Sequence, residues 1–165
     1  MVKSIIQSTT QTLYDQDYYL WLMTTINQLR TGQFLSVDLD NLLEELETMG
    51  RSHKRTIESL LIKLLEHLLK LKCWDNERER NQGYWKGEIR TFRRDIKKAL
   101  KDSPSLKPYI LEIFDQSYQD ARKEASDRSQ LSIDIFPLIP IGSLEQILDE
   151  NWFPEYNHNH QAKPD

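Results

Sequence analysis

Apolar residues recur every three or four positions through most of this chain, most densely in residues 55–74. There Ile57, Leu60, Leu61, Leu64, Leu65, Leu68 and Leu71 keep helical spacing. Ile62 and Leu69 widen the stripe, leaving Ser59, Lys63, Glu66 and Lys70 as its polar side. A helix this apolar needs neighbours on several flanks, which predicts the central helix of a small all-α domain. His67 shares a ridge with Leu60, Leu64 and Leu71. Its imidazole is expected to be buried and hydrogen-bonded, with Glu44, Glu45 or Glu47 as partner.

The remaining pattern predicts about five main helices, mostly antiparallel. Asp15 is an N-cap for a first helix ending at Arg30 before Gly32, with Tyr18, Leu22, Ile26 and Leu29 as its stripe. Asp38 caps a second helix whose Leu39, Leu42, Leu43, Leu46 and Met49 face the core. Gly50 ends or bends it, and Ser52 caps the third. Residues 75–83, DNERERNQG, have no apolar content and read as an exposed connection. A fourth helix over 84–100 turns Trp85, Ile89, Phe92, Ile96 and Leu100 inward. Ser103-Pro104 stops it, and Ser105 opens a fifth that tolerates Pro108 in its first turn. Residues 131–140 alternate briefly, but Pro137 and Pro140 exclude a central strand and leave an apolar strap. Ser143 and Gln146 form a capping box for a short C-terminal helix. The domain is expected over 12–155, between an N-terminal arm (1–11) and a flexible tail (156–165) containing His158 and His160.

Composition narrows the setting. One cysteine, Cys73, excludes an intrachain disulfide and suits a reducing cytoplasmic interior. No signal-peptide core opens the chain, and the charges inside the leucine helix argue against a membrane span. A net charge of -4 makes nucleic acid an unfavoured partner. The charge is also uneven: residues 38–47 hold five carboxylates and no base, whereas residues 86–101 are strongly basic.

No phosphate loop, dinucleotide fingerprint or nucleophile elbow is present, so no cofactor is expected. The candidate constellation is Glu44, Glu45, Glu47, His67, Arg90 and Arg93. These residues could staple helices together, pairing Glu44 or Glu47 with Arg90 or Arg93. The favoured function is a non-enzymatic cytoplasmic interaction or adaptor domain, binding a protein partner or a second copy. Trp152, Phe153 and Tyr156 are candidate docking residues near the tail. The alternative is a metal-assisted phosphohydrolase or nuclease. In it Glu44, Glu45 and His67 would hold a divalent metal and Arg93 the substrate phosphate. No Glu-x-x-His pair lies on one of the expected helices, as di-iron bundles would supply.

Several pieces in fixed order also resemble a known family. They are Tyr14-Asp15 with Trp21 and Leu29-Arg30; Leu42-Leu43-Glu44-Glu45-Leu46-Glu47 with Met49-Gly50-Arg51-Ser52; and Leu64-Leu65-Glu66-His67-Leu68-Leu69-Lys70. Trp85, Ile89, Arg93, Ser103-Pro104-Ser105-Leu106, Tyr118, Ala121, Ala125 and Phe136-Pro137 follow. Over residues 12–155 the chain resembles the bacterial, especially cyanobacterial, family of the domain of unknown function number twenty-nine. That resemblance implies a helical fold and, the family's activity being uncharacterised, no chemistry. Two departures stand out. The family often carries Glu-Thr-Gly-Leu where this chain has Asp127-Arg128-Ser129-Gln130-Leu131, and a cysteine where it has Ile139.

Overall fold

The computed structural model describes residues 12–156, and every regular element among them is helical. The expected arm and tail, Tyr156 excepted, lie outside the described residues. The expected all-α class is what the structure has: a small helical bundle whose long helices number four, because two predicted helices are one.

The chain enters through α1 (Leu13–Gln16), where Thr12 and Asp15 cap each other reciprocally. The Asp17 carboxylate then accepts the Leu20 N–H at 2.9 Å and opens α2 (Tyr18–Arg30). The single first helix expected from Asp15 is therefore two, restarted by a second capping side chain. Gly32, at φ 74°, supplies the left-handed exit. After a 3₁₀ turn at Phe34–Ser36, Asp38 accepts the Asn41 N–H at 3.4 Å and α3 (Leu39–Cys73) begins.

Helix α3 runs 35 residues without interruption, so the second and third helices expected on either side of Gly50 are one. A helical glycine costs only about 1 kcal/mol against alanine, which flanking turns can outweigh. Those turns are braced: Arg51 reaches Glu47 and Thr48 at 3.4 and 2.8 Å. Ser52 caps nothing; its carbonyl accepts the Thr56 hydroxyl at 3.0 Å from within the helix.

Only Trp74 separates α3 from α4 (Asp75–Asp102). Residues 75–83 are thus the opening turns of α4, not an exposed connection. Arg78 explains the difference. Its Nε and Nη2 donate to the Leu71 and Lys72 carbonyls, both at 2.7 Å, and it also pairs with Asp75. The orphan carbonyls of one helix are thereby satisfied by the first turn of the next, where Asp75 and Glu77 also suit the helix dipole. A 3₁₀ turn at Pro104–Leu106 leads to α5 (Lys107–Ser129), with Pro108 tolerated in its first turn. Gln130 closes α5 at φ 59°, unusual for a residue with a Cβ, and its side chain returns to the Asp127 carbonyl at 2.7 Å. The strap contains a 3₁₀ turn at Ile133–Ile135. The expected Ser143–Gln146 box caps α6 (Leu144–Leu148).

The chain divides after Arg51 into two compact units. The core of the second is built by Ile57, Leu61, Leu64, Leu65, Leu68 and Leu71 of α3, packed against residues of α4, α5, the strap and α6. Trp85, Ile89, Ile96, Ile110, Tyr118, Ala121, Phe136 and Ile147 belong to that core. In the first unit Trp21 and Thr25 are buried, but Leu39, Leu43, Leu46 and Met49 are not: they are 58, 49, 54 and 57% exposed. The expectation that this row faces the core is overturned, since helical periodicity identifies a stripe and not what covers it. No helix among the described residues is long and apolar enough to cross a membrane.

The glycine in α3 yields a direct check. A Cβ at Gly50 meets nothing within 4 Å, and its φ is not positive. Gly50→Ala is expected to raise stability by about 0.5–1 kcal/mol in urea denaturation; a loss would mean the chain needs glycine there to bend.

Candidate functional site

In the first unit the polar chemistry centres on Glu45. The Tyr14 and Tyr18 hydroxyls donate to its two carboxylate oxygens at 2.5 and 3.0 Å. The hydrogen bond to Glu45 is the main reason the Tyr14 phenol is pushed up to about 12 and Tyr18 is raised with it. Tyr14 also meets Trp21 edge-on at 4.8 Å, and the indole N–H of Trp21 donates to Asp38 at 3.3 Å. Asp38 accepts from the Asn41 side chain at 2.7 Å as well. This clasp fastens α1 and α2 to the start of α3 by their aromatic side. What it leaves outside is the apolar row Leu39, Leu43, Leu46 and Met49, bordered by Asp40, Glu44 and Glu47, with exposed Phe34 and Leu35 on the preceding turn.

In the second unit half of the polar side expected for the leucine helix is buried: Ser59 and Lys63 are exposed, Glu66 and Lys70 are not. Glu66 is 1% exposed, and its Oε1 lies 2.6 Å from Lys70 Nζ and 3.0 Å from Arg128 Nε. His67 keeps a 12% exposed side chain, stands edge-on to Phe92 at 5.3 Å, and bonds through Nδ1 to the Lys63 carbonyl at 2.9 Å. A carbonyl only accepts, so Nδ1 carries the proton in the neutral ring. Burial holds the imidazole below its ordinary value and Lys70 lowers it further, while the Lys63 carbonyl bond, Glu66 and Glu88 partly offset this.

Arg93 is fully buried and donates to three carbonyls: Ile147 and Trp152 at 2.7 Å and Glu150 at 3.5 Å. Arg122 does the same for the strap, reaching the Phe136 and Ile133 carbonyls at 3.0 and 3.3 Å. Neither is placed as a free clamp for a ligand. Trp152 and Phe153, expected as docking residues, are instead partly buried against the core.

The residues singled out from sequence are therefore scattered in role. Glu45 is clasped by tyrosines, Glu47 pairs with Arg51, Glu44 and Arg90 are exposed, and Arg93 is a structural anchor. His67 lies 20 or more positions beyond the three glutamates along one helix, where side chains meet only at three or four. The helix does not bring them together, and the expected bond from His67 to one of them is replaced by the Lys63 carbonyl. Among the described residues no group of three or more His, Cys, Asp or Glu side chains is placed to hold a metal ion. Burial pushes the Cys73 thiol up to about 11, away from nucleophilic reactivity. The roles of Tyr14 and Tyr18 at Glu45, and of Lys70 and Arg128 at Glu66, escaped the sequence reading. The first two had a signal: phenols seven and three residues before Trp21, ahead of an acidic helix.

Residues 13–153 match the family model described as "Domain of unknown function DUF29". No curated protein and no solved structure matches the chain.

Two outcomes follow from the buried groups. Arg93→Ala strands three carbonyls and is expected to cost about 2–4 kcal/mol in urea denaturation. Arg93→Lys should recover less than half, lacking the planar fork; wild-type stability in either variant contradicts the anchoring role. For His67 the folded value lies below the unfolded one, so the unfolded chain binds more protons as the medium acidifies. Stability contributed by the neutral ring is complete above about pH 6.5 and declines as pH falls through the folded value. His67→Gln should flatten that part of the stability–pH curve; an unchanged slope would place its origin elsewhere.

Proposed function

We propose that this chain, which belongs to the DUF29 family, is a non-enzymatic helical interaction domain of the cytoplasm that binds a partner protein through its first unit. The single observation that carries this reading is the exposed apolar row on α3. Four large side chains at helical spacing, each about half exposed, form a stripe that a water-soluble surface ordinarily hides. Phe34 at 68% and Leu35 at 105% exposure extend it onto the preceding turn.

Charge specifies the partner. Asp40, Glu44 and Glu47 border the row, and no base occurs between residues 38 and 47. An amphipathic helix with leucines on one face and lysines or arginines along its margins complements that pattern in both shape and sign. The clasp around Glu45 contributes by ordering the row before a partner arrives, which lowers the entropic cost of association. The compartment belongs to the same proposal, supported by a lone, unpaired thiol.

Two designed peptides with identical leucine faces, one with lysine margins and one with glutamate margins, test this by fluorescence anisotropy. Micromolar binding of the lysine peptide alone is expected, weakened about tenfold or more in Leu43→Asp/Leu46→Asp. Equal affinity for both peptides, or no effect of the double variant, rejects the reading. Sedimentation equilibrium completes the test: dimerisation abolished by the same variant would assign the row to a second copy of this chain.

A further inference from the structure

The basic stretch of α4, left unassigned so far, borders a groove in the second unit. About 550 Å³ of space is lined by Arg90, Thr91, Arg94, Glu150, Asn151 and Phe153, a volume that suits a small organic ligand. Both walls are fixed. Arg90 and Arg94 stand one turn apart on α4. The opposite wall follows α6 and is pinned through the Ile147, Glu150 and Trp152 carbonyls by Arg93, itself a residue of α4.

The charge in this space is one-sided. Among the described residues the Arg90 guanidinium meets no carboxylate or carbonyl; its neighbour is the Phe153 ring at 5.8 Å. Arg94 touches only its chain neighbour Asp95, through Nε at 3.2 Å, an exposed contact of little strength. Glu150, the sole carboxylate of the lining, is engaged by Lys97 at 2.8 Å. Lys86 and Arg93 lie over the Phe153 ring at 5.6 and 5.2 Å and add positive charge, which Asp149 and Glu150 offset in part. The groove thus gathers two guanidiniums with donors to spare, a hydroxyl and a side-chain amide around one partly buried aromatic ring.

Phosphoryl oxygens are the acceptors that such donors match, because planar guanidiniums bond them in pairs. We propose that this groove binds the phosphoryl group of a small phosphate ester, held by Arg90 and Arg94, with Phe153 beside the organic part. The site uses neither the apolar row nor its charge, so it stands or falls independently of the partner-protein reading.

Isothermal titration with inorganic pyrophosphate and with ADP tests the site. The comparison proteins are Arg90→Ala/Arg94→Ala and Lys101→Ala, the last a base on the same helix outside the lining. All three substituted side chains are exposed, and circular dichroism confirms the fold of each variant. At least one probe is expected to bind at millimolar concentration or below. The double variant should weaken it about tenfold or more, and Lys101→Ala by less than about twofold. Absence of binding by both probes overturns the proposal, as does an equal loss in Lys101→Ala, which would mean diffuse attraction to a basic face. A single-stranded oligonucleotide binding more than about tenfold tighter than ADP, with steep salt dependence, overturns it in favour of nucleic acid.

Discussion

A helix leaves its last carbonyls without partners, and where such an end is buried something other than water must donate to them. In the second unit that donor is arginine at three places, while the Ser129 hydroxyl serves the end of α5. Arg78 serves the end of α3, Arg122 the strap after α5, and Arg93 the end of α6 and the chain beyond it. A buried guanidinium is costly to desolvate, and burial lowers the affinity of Arg93 for its proton. The arrangement holds because carbonyls cluster where chains terminate, presenting several partial negative charges to one planar fork. Each partner thus removes the other's penalty. The strap and the C-terminal segment, with little regular structure of their own, are thereby tied to the helices they cross.

Glu66 shows the same logic with a full negative charge. A carboxylate in the middle of the most apolar helix would be untenable alone, but Lys70 approaches along the helix and Arg128 from α5. These approaches tie one point of α5 to one point of α3 by charge, which leucine contacts do not. Leucine packing tolerates a helix sliding by part of a turn, whereas the reach from Arg128 to Glu66 at 3.0 Å does not. The left-handed exit at Gln130 follows only two residues after this tie between α5 and α3.

Local grammar in the sequence held at several points, though Ser52 and Ser105 cap no helix. Asp38, Gly32, Pro108 and the Ser143–Gln146 box all act where their chemistry indicates, because a cap or a positive φ is decided within a few residues. What failed depended on distant partners. Gly50 reads as a break only when the stability of the turns around it is unknown, and residues 75–83 read as loop because nothing nearby reveals that Arg78 turns back to α3. The candidate site failed in an instructive way. Arg93 stands between Ile89 and Ile96 in an apolar register, which does mark it as buried. Composition alone could not tell a ligand clamp from an anchor for carbonyls more than fifty residues away. The exposed row on α3 was legible as a stripe, yet its exposure was not, since the pattern of a covered face and of one awaiting cover is the same.

That distance has a consequence for how the protein comes into being. Arg93 emerges from the ribosome well before its acceptors, which lie 54, 57 and 59 residues later. During synthesis the guanidinium therefore has no carbonyls to bury against, and the packing of α4 must wait with that position hydrated. Apolar residues of α3 and α4 can collapse early, but the nascent bundle stays ajar along one seam until residue 152 has cleared the exit tunnel. The emergence of residues 147–152 then acts as a latch, and a chain stalled short of it would show quality-control proteases an open seam.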